Sequence, residues 1–152
     1  MINPKLFIAQ INTLQTLSGL DFGDKTIGIA ISDKTHTIAT PIKTLSRKSI
    51  KIDIIELKNL FKEYNVGGVI LGLPLSLNGE ENESTRKVRE FSSILQKSSD
   101  YKITFYDERF SSDVVFKELR KNSLSSSKIK KKIDHLAASY ILQGFLDNAK
   151  NN

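Results

Sequence analysis

The chain of 152 residues contains no cysteine and no tryptophan. Without thiols there are no disulfides, no thiolate-held metal and no cysteine nucleophile. The lack also suits a reducing compartment. Only two histidines occur, His36 and His135, and His135, beside Asp134, is read as structural or solvated. Aromatic residues make up 8% of the chain, without a stacking pattern, which argues against single-strand binding on aromatic platforms. No apolar run approaches the roughly 20 residues of a membrane span, so no membrane association is expected. The opening stretch MINPKLFIAQINTLQTL has a single lysine and no small-residue cleavage pattern. A secretory leader is therefore not expected.

What is present describes an ordinary folded chain, 39% hydrophobic and 26% charged. Its length suits one domain with a real core, residues 1–152, with 1–15 as an N-terminal extension. The formal net charge is +6, and it is not spread evenly. Between Lys117 and Lys132 there are seven positive residues (Lys117, Arg120, Lys121, Lys128, Lys130, Lys131, Lys132) and one negative, Glu118. One segment thus carries the whole excess, as a contact surface for a polyanion would.

The order of elements follows from periodicity. Thr16–Asp21 reads as a strand, Gly23-Asp24-Lys25 as a tight turn, and Thr26–Ser32 as a second strand with isoleucines at every other position. Thr37–Leu45 is a third strand whose Pro41 suits an edge or a bulge. Arg47–Tyr64 has helical spacing, with Ser46 as its cap and Asn65 and Gly67 ending it. Val69-Ile70-Leu71, between Gly68 and Gly72, is a strand covered on both faces. A polar loop and a helix over Ser84–Lys97 follow, then a strand over Lys102–Tyr106. A short helix is expected from Ser111 or Ser112 to Lys121, a serine-rich loop over Asn122–Lys128, and a last helix over Lys131–Asn148. Ala137 and Gly144 would let that helix approach the sheet. Residues 1–15 show no clear period and read as an extra helical turn or a loose arm. Three antiparallel strands followed by strand–helix–strand crossovers predict an α/β fold of ribonuclease H-like type. Its mixed five-stranded sheet would have helices on both faces.

Three acids fall at element ends within this layout: Asp21 after the first strand, Glu108 after the last, and Asp134 in the first turn of the last helix. If the first and last strands run parallel, their carboxyl ends share the edge where α/β sheets bind ligands. Grouped carboxylates repel unless protonated or bound to a cation, and oxygen-only ligands suit Mg²⁺ or Mn²⁺. Two such ions can clamp the oxygens of a phosphodiester. Lys128, Lys130, Lys131 and Lys132, just before Asp134, are candidate phosphate contacts, and Arg109 beside Glu108 is another. Each acid also has a plainer reading: a turn residue at Asp21, an ion pair with Arg109 at Glu108, a helix-dipole partner at Asp134. Asp24 and Asp33 read as turn residues.

Five stretches together resemble one family. They are GLDFGDKTIGIAISD (19–33), ATP (39–41), GLPLSLNG (72–79), DERFSS (107–112) and KIDHLAASYILQGFLD (132–147). In this order and spacing the chain resembles the YqgF or RuvX family, also termed Holliday-junction-resolvase-like. The resemblance implies a ribonuclease H-like fold, a cytoplasmic location and a metal-dependent nuclease that matures the 5′ end of pre-16S rRNA in ribosome biogenesis. It places the family's acidic triad on Asp21, Glu108 and Asp134. Phe110-Ser111-Ser112 and the serine- and lysine-rich segment before the last helix depart from the usual pattern, which bears on substrate preference. The alternatives are a resolvase-type endonuclease acting on branched DNA, or a nucleic-acid-binding module without catalysis. Half of a sugar-kinase or actin-like ATPase is disfavoured, because the chain is short and GLPLSLNG makes a poor second phosphate loop. The expected partner is structured RNA or branched DNA, bound by a monomer or a homodimer.

Overall fold

A computed structural model describes residues 1–109 and 126–151, except that the side chains of 126–135 lie outside the description. The elements are α1 (Pro4–Ala9), β1 (Thr16–Phe22), β2 (Thr26–Ser32), β3 (Ala39–Ser46), α2 (Ile50–Glu63), β4 (Val66–Leu73), α3 (Glu83–Lys97), β5 (Lys102–Asp107) and α4 (Ser126–Asn151). The strands form one sheet in the order β3-β2-β1-β4-β5. β1 pairs antiparallel with β2, and β2 with β3. β1, β4 and β5 run parallel. This is the mixed five-stranded sheet that the periodicity predicts.

Alternation along β1 divides the core into two layers. Leu20 packs with Ile27, Leu57, Phe61, Leu71 and Phe91 on the face covered by α2 and α3. Leu17 packs with Phe7, Ile70, Ala138, Leu142 and Phe145 on the face covered by α1 and α4. Every residue of β4 is buried, as a central strand with helices on both sides requires. Gly19 is what lets α4 sit so close. A Cβ there would collide with the Ala138 carbonyl and with Leu142.

Several boundaries differ from the sequence reading, each for a local reason. α2 starts at Ile50, not Arg47, because the Ser49 hydroxyl accepts the Ile52 N–H and so caps it, while the Arg47 N–H donates to the Lys25 carbonyl at 2.9 Å. β4 runs from Val66 to Leu73, so Gly67, Gly68 and Gly72 lie inside the strand rather than bounding it. Phe7 and Ile11 tuck against Gly68, which explains a glycine there. The first residues are not a loose arm: α1 is capped by Asn3, and its Phe7 meets Phe145 edge to face at 5.6 Å. α4 begins at Ser126, so the serines at 126 and 127 are helical. It is Ala138 rather than Ala137 that meets Gly19, whereas Gly144 does lie tight against the sheet, at Tyr106 of β5. The helix expected near Ser111–Lys121 and the segment 122–125 lie outside the described residues.

Two of the remaining acids serve turns. The Asp33 carboxylate accepts hydrogen bonds from the Thr35 hydroxyl and from the N–H groups of Thr37 (2.7 Å) and Ile38 (3.0 Å). Burial opposes its ionisation, but these bonds outweigh it and hold the carboxyl down to about 2. Asp24, at the hairpin turn, faces Lys87 at 3.1 Å. His36 is structural as well: its Nε2 lies 2.8 Å from the Gln15 carbonyl.

Candidate active site

The parallel arrangement of β1, β4 and β5 brings their carboxyl ends to one edge of the sheet. Asp21 is the penultimate residue of β1 and pairs with Gly28. By the period of two it shares its face with Leu17 and Gly19, the face covered by α4. Glu108 follows β5, where its N–H donates to the Leu73 carbonyl at 3.3 Å. Its carboxylate folds back over Gly72 of β4. A Cβ at position 72 would overlap Glu108 Oε2 and the Ile141 side chain of α4. The missing side chain at 72 is therefore the space that Glu108 fills, between sheet and helix, on the same face as Asp21.

Electrostatics tie the two acids together. Burial pushes the Glu108 carboxyl up to about 7, and the charges of Asp21 and Asp107 push in the same direction. Asp107 behaves oppositely. The Arg109 side chain hydrogen-bonds to its carboxylate, at 2.8 Å from Nε and 2.7 Å from Nη2, and holds its pKa down. In the DER motif the arginine thus neutralises Asp107 and not Glu108. Arg109 also donates from Nη1 to the Leu77 carbonyl at 3.2 Å and lies against Gly79, whose φ of +87° suits glycine. Its described role is to pin the 74–82 loop to the end of β5.

The other candidates lie on α4. The side chains of Asp134, Lys128, Lys130, Lys131 and Lys132 lie outside the described residues. The backbone of Asp134 is helical and one turn before Ala138, whose carbonyl rests against Gly19, two residues from Asp21. Phe145, further along, meets Phe7, which in turn meets Gly68 beside Leu17. α4 therefore runs antiparallel to β1, and its N-terminal half heads toward the edge that holds Asp21. Among the described residues no three carboxylate, histidine or cysteine side chains are gathered as a metal group.

Residues that the sequence reading did not single out complete this edge. A cleft of about 140 Å³ opens beside Glu108, lined by Phe22, Gly23, Asp24, Pro74, Ser84 and Lys87. Lys87 and Ser84 come from the first two turns of α3. No local signal separates Lys87 from the other basic residues of a chain with 23 lysines and arginines. Only the crossover after β4 brings it here. Arg47 is the other omission. It lies beyond the third strand in sequence, yet its Nη1 donates to the Gly23 carbonyl at 3.2 Å.

The two described acids fit a divalent cation. Both are oxygen donors on one face, and after burial the repulsion from Asp21 is the next cause of the raised Glu108 pKa. A hard cation between them would relieve that repulsion. No helix among the described residues is long and apolar enough to cross a membrane.

The chain is similar to several known proteins. A family model described as "RuvX: Holliday junction resolvase" matches residues 15–148. A relative from Clostridium novyi, named as a candidate pre-16S rRNA nuclease, is 45% identical over 130 residues, covering 86% of this chain and 96% of the relative. A protein of the same name from Ruegeria pomeroyi is 38% identical over 145 residues, covering 95% and 94%. Among solved structures, T. thermophilus RuvC in complex with a Holliday junction substrate superposes with a TM-score of 0.53 at 11% identity, covering 88% of this chain and 94% of that one. At that identity the likeness speaks for the fold alone, which is ribonuclease H-like.

Proposed function

The chain belongs to the RuvX family, and on that premise we propose that it is a divalent-metal-dependent nuclease that processes the 5′ end of pre-16S rRNA in the cytoplasm. The observation that carries the reading is the Asp21–Glu108 pair, held on one face at the carboxyl edge of parallel strands over a glycine that makes room for it. The names of the relatives support the substrate.

Asp21, Glu108 and Asp134 would hold Mg²⁺ or Mn²⁺. A bound divalent cation supplies neutralising charge at the scissile phosphate and a lowered pKa for the attacking water. The protein's own part is positional. Asp21 stands on a strand end, Glu108 is fixed between Gly72 and Ile141, and Asp134 rides on α4 toward the same edge. Arg109 holds the 74–82 loop as one wall. Lys87 on the rim of the cleft, with Lys128, Lys130, Lys131 and Lys132 on α4, offers cations to the nucleic-acid backbone.

A second reading, a resolvase of branched DNA, follows from the description of the family itself. One experiment tests both. A pre-16S rRNA fragment and a four-way DNA junction are incubated with the protein in Mg²⁺, in EDTA, and as the Asp21→Asn variant. The expected outcome is cleavage of the RNA that both EDTA and the substitution abolish. Cleavage of the junction alone would transfer the assignment to the resolvase. Undiminished cleavage by Asp21→Asn would remove the metal-nuclease reading.

A further inference from the structure

Asp21 and Glu108 stand on the face of the sheet that α4 covers. On the opposite face, behind the end of β1, lies a second assembly of charged and aromatic groups. Asp53, in the first turn of α2, is 1% exposed. Its Oδ1 accepts the Lys48 N–H at 2.9 Å, and its Oδ2 accepts from Arg47 Nε at 3.2 Å. A carboxylate so buried needs such partners, and Arg47 in turn has its orientation set by it. Two further donors of Arg47 reach the hairpin. Nη1 reaches the Gly23 carbonyl at 3.2 Å, and the Arg47 backbone N–H reaches the Lys25 carbonyl at 2.9 Å. The guanidinium also lies 4.4 Å over the ring of Phe22. That ring stacks on Phe91 at 4.4 Å, so it is held between an arginine and an aromatic.

We propose that Arg47, oriented by buried Asp53, is a positioning residue for Asp21: it clamps Phe22 and Gly23, the two residues that follow the carboxylate, from the back of the sheet. Arginine is required because one planar fork must reach Asp53, the Gly23 carbonyl and the face of Phe22 at once, which an ammonium cannot do. The clamp rests on the reading of Asp21 as a metal ligand, since only then does the placement of its carboxylate set a rate. Displacements of about 1 Å in a catalytic group can cost on the order of 100-fold.

The test uses two variants of the full chain. Arg47→Lys keeps a charge for Asp53 and loses the fork. Arg47→Met combined with Asp53→Asn removes the clamp without stranding a buried charge, so it covers the case in which the single variant folds poorly. Both are expected to bind Mn²⁺ about tenfold more weakly and to lower kcat about tenfold or more, with KM for RNA within about twofold. A role in global stability alone would lower the denaturation midpoint and leave these readouts in place, and that result would overturn the proposal. Asp21→Asn, assayed in parallel, separates the two levels. If it cleaves like the parent chain, the metal-nuclease reading fails on its own account. The clamp is then read from amide hydrogen exchange at Gly23, whose N–H donates to the Thr26 carbonyl at 2.9 Å. Both variants should speed that exchange at least tenfold relative to amides of β4, and unchanged exchange would discard the clamp.

Discussion

At Glu108 burial and like charge act in one direction, and the consequence is measurable without any substrate. Its carboxyl ionises near 4.5 in the unfolded chain and about 7 in the folded one. Below pH 4.5 the group is neutral in both states and contributes nothing. As pH rises from 4.5 toward 7 the unfolded state ionises first, so stability falls, and above about 7 the full penalty is present. The shift corresponds to on the order of 3 kcal/mol. Glu108→Gln should therefore stabilise the metal-free protein at pH 8 by about 2–3 kcal/mol and change little at pH 4, as read from urea denaturation at the two pH values. Divalent cations, which require the ionised carboxylate, should bind the parent chain more tightly as pH rises through 7. Gly72→Ala attacks the same site from below. Its methyl group would overlap Glu108 and Ile141, so it should cost about 1–3 kcal/mol of stability and greatly weaken Mn²⁺ binding in a titration. Asp21 and Glu108 were legible as candidates because an acid at the end of a strand is a local pattern. The partition within the DER motif was not. Which of Asp107 and Glu108 takes Arg109 depends on Gly72, more than 30 residues earlier in the chain.

Among the elements, the five strands and the helices between them were legible because each carries its own period: isoleucines at every second position in β2, and Ile54, Leu57 and Phe61 at helical spacing in α2. Their ends were less so. Ser46 and Ser49 are both acceptable caps by composition, and the choice falls to Ser49 because the edge pairing of β3 extends to Ser46, opposite Thr26. α1 was illegible for a different reason. Six residues are too few to display a helical period, and Pro4–Ala9 is helical because Asn3 caps it and because Phe7 and Ile11 are needed to finish the layer under α4. It precedes the stretch that the family model matches, residues 15–148, yet it belongs to the core of this protein. Phe7 is 2% exposed, so Phe7→Ala should cost about 3–5 kcal/mol, measured by urea denaturation. A loss below about 1 kcal/mol would mean that α1 is only loosely attached. Because α1 and β1 grip α4 from either end of its buried stripe, the same substitution should also soften the placement of the helix that bears Asp134.

For the molecule as a whole, charge and shape divide the labour. The sheet fixes two carboxylates at an edge, and the excess of positive charge lies in the segment Lys117–Lys132, seven cations to one anion, which leads along the chain into α4 and Asp134. Outside that segment sixteen basic residues are matched by sixteen acidic ones, and several of them pair directly. Lys48 meets Glu56 at 2.8 Å, Arg86 pairs with Glu83 and Glu90, and Arg89 with Glu81. Affinity for a polyanion should therefore come mostly from the one segment and should follow counterion release. Each phosphate contact removed lowers the slope of log K against log salt by about 1. Replacing Lys128, Lys130, Lys131 and Lys132 together by glutamine should reduce that slope by about 4 and weaken RNA binding at low salt, in filter-binding or fluorescence titrations. Asp21→Asn should leave the slope where it is, since it alters the reacting edge and not the cationic track. If the lysine variant instead keeps its slope while losing cleavage, the segment does not bear the backbone, and its charge acts through the placement of α4.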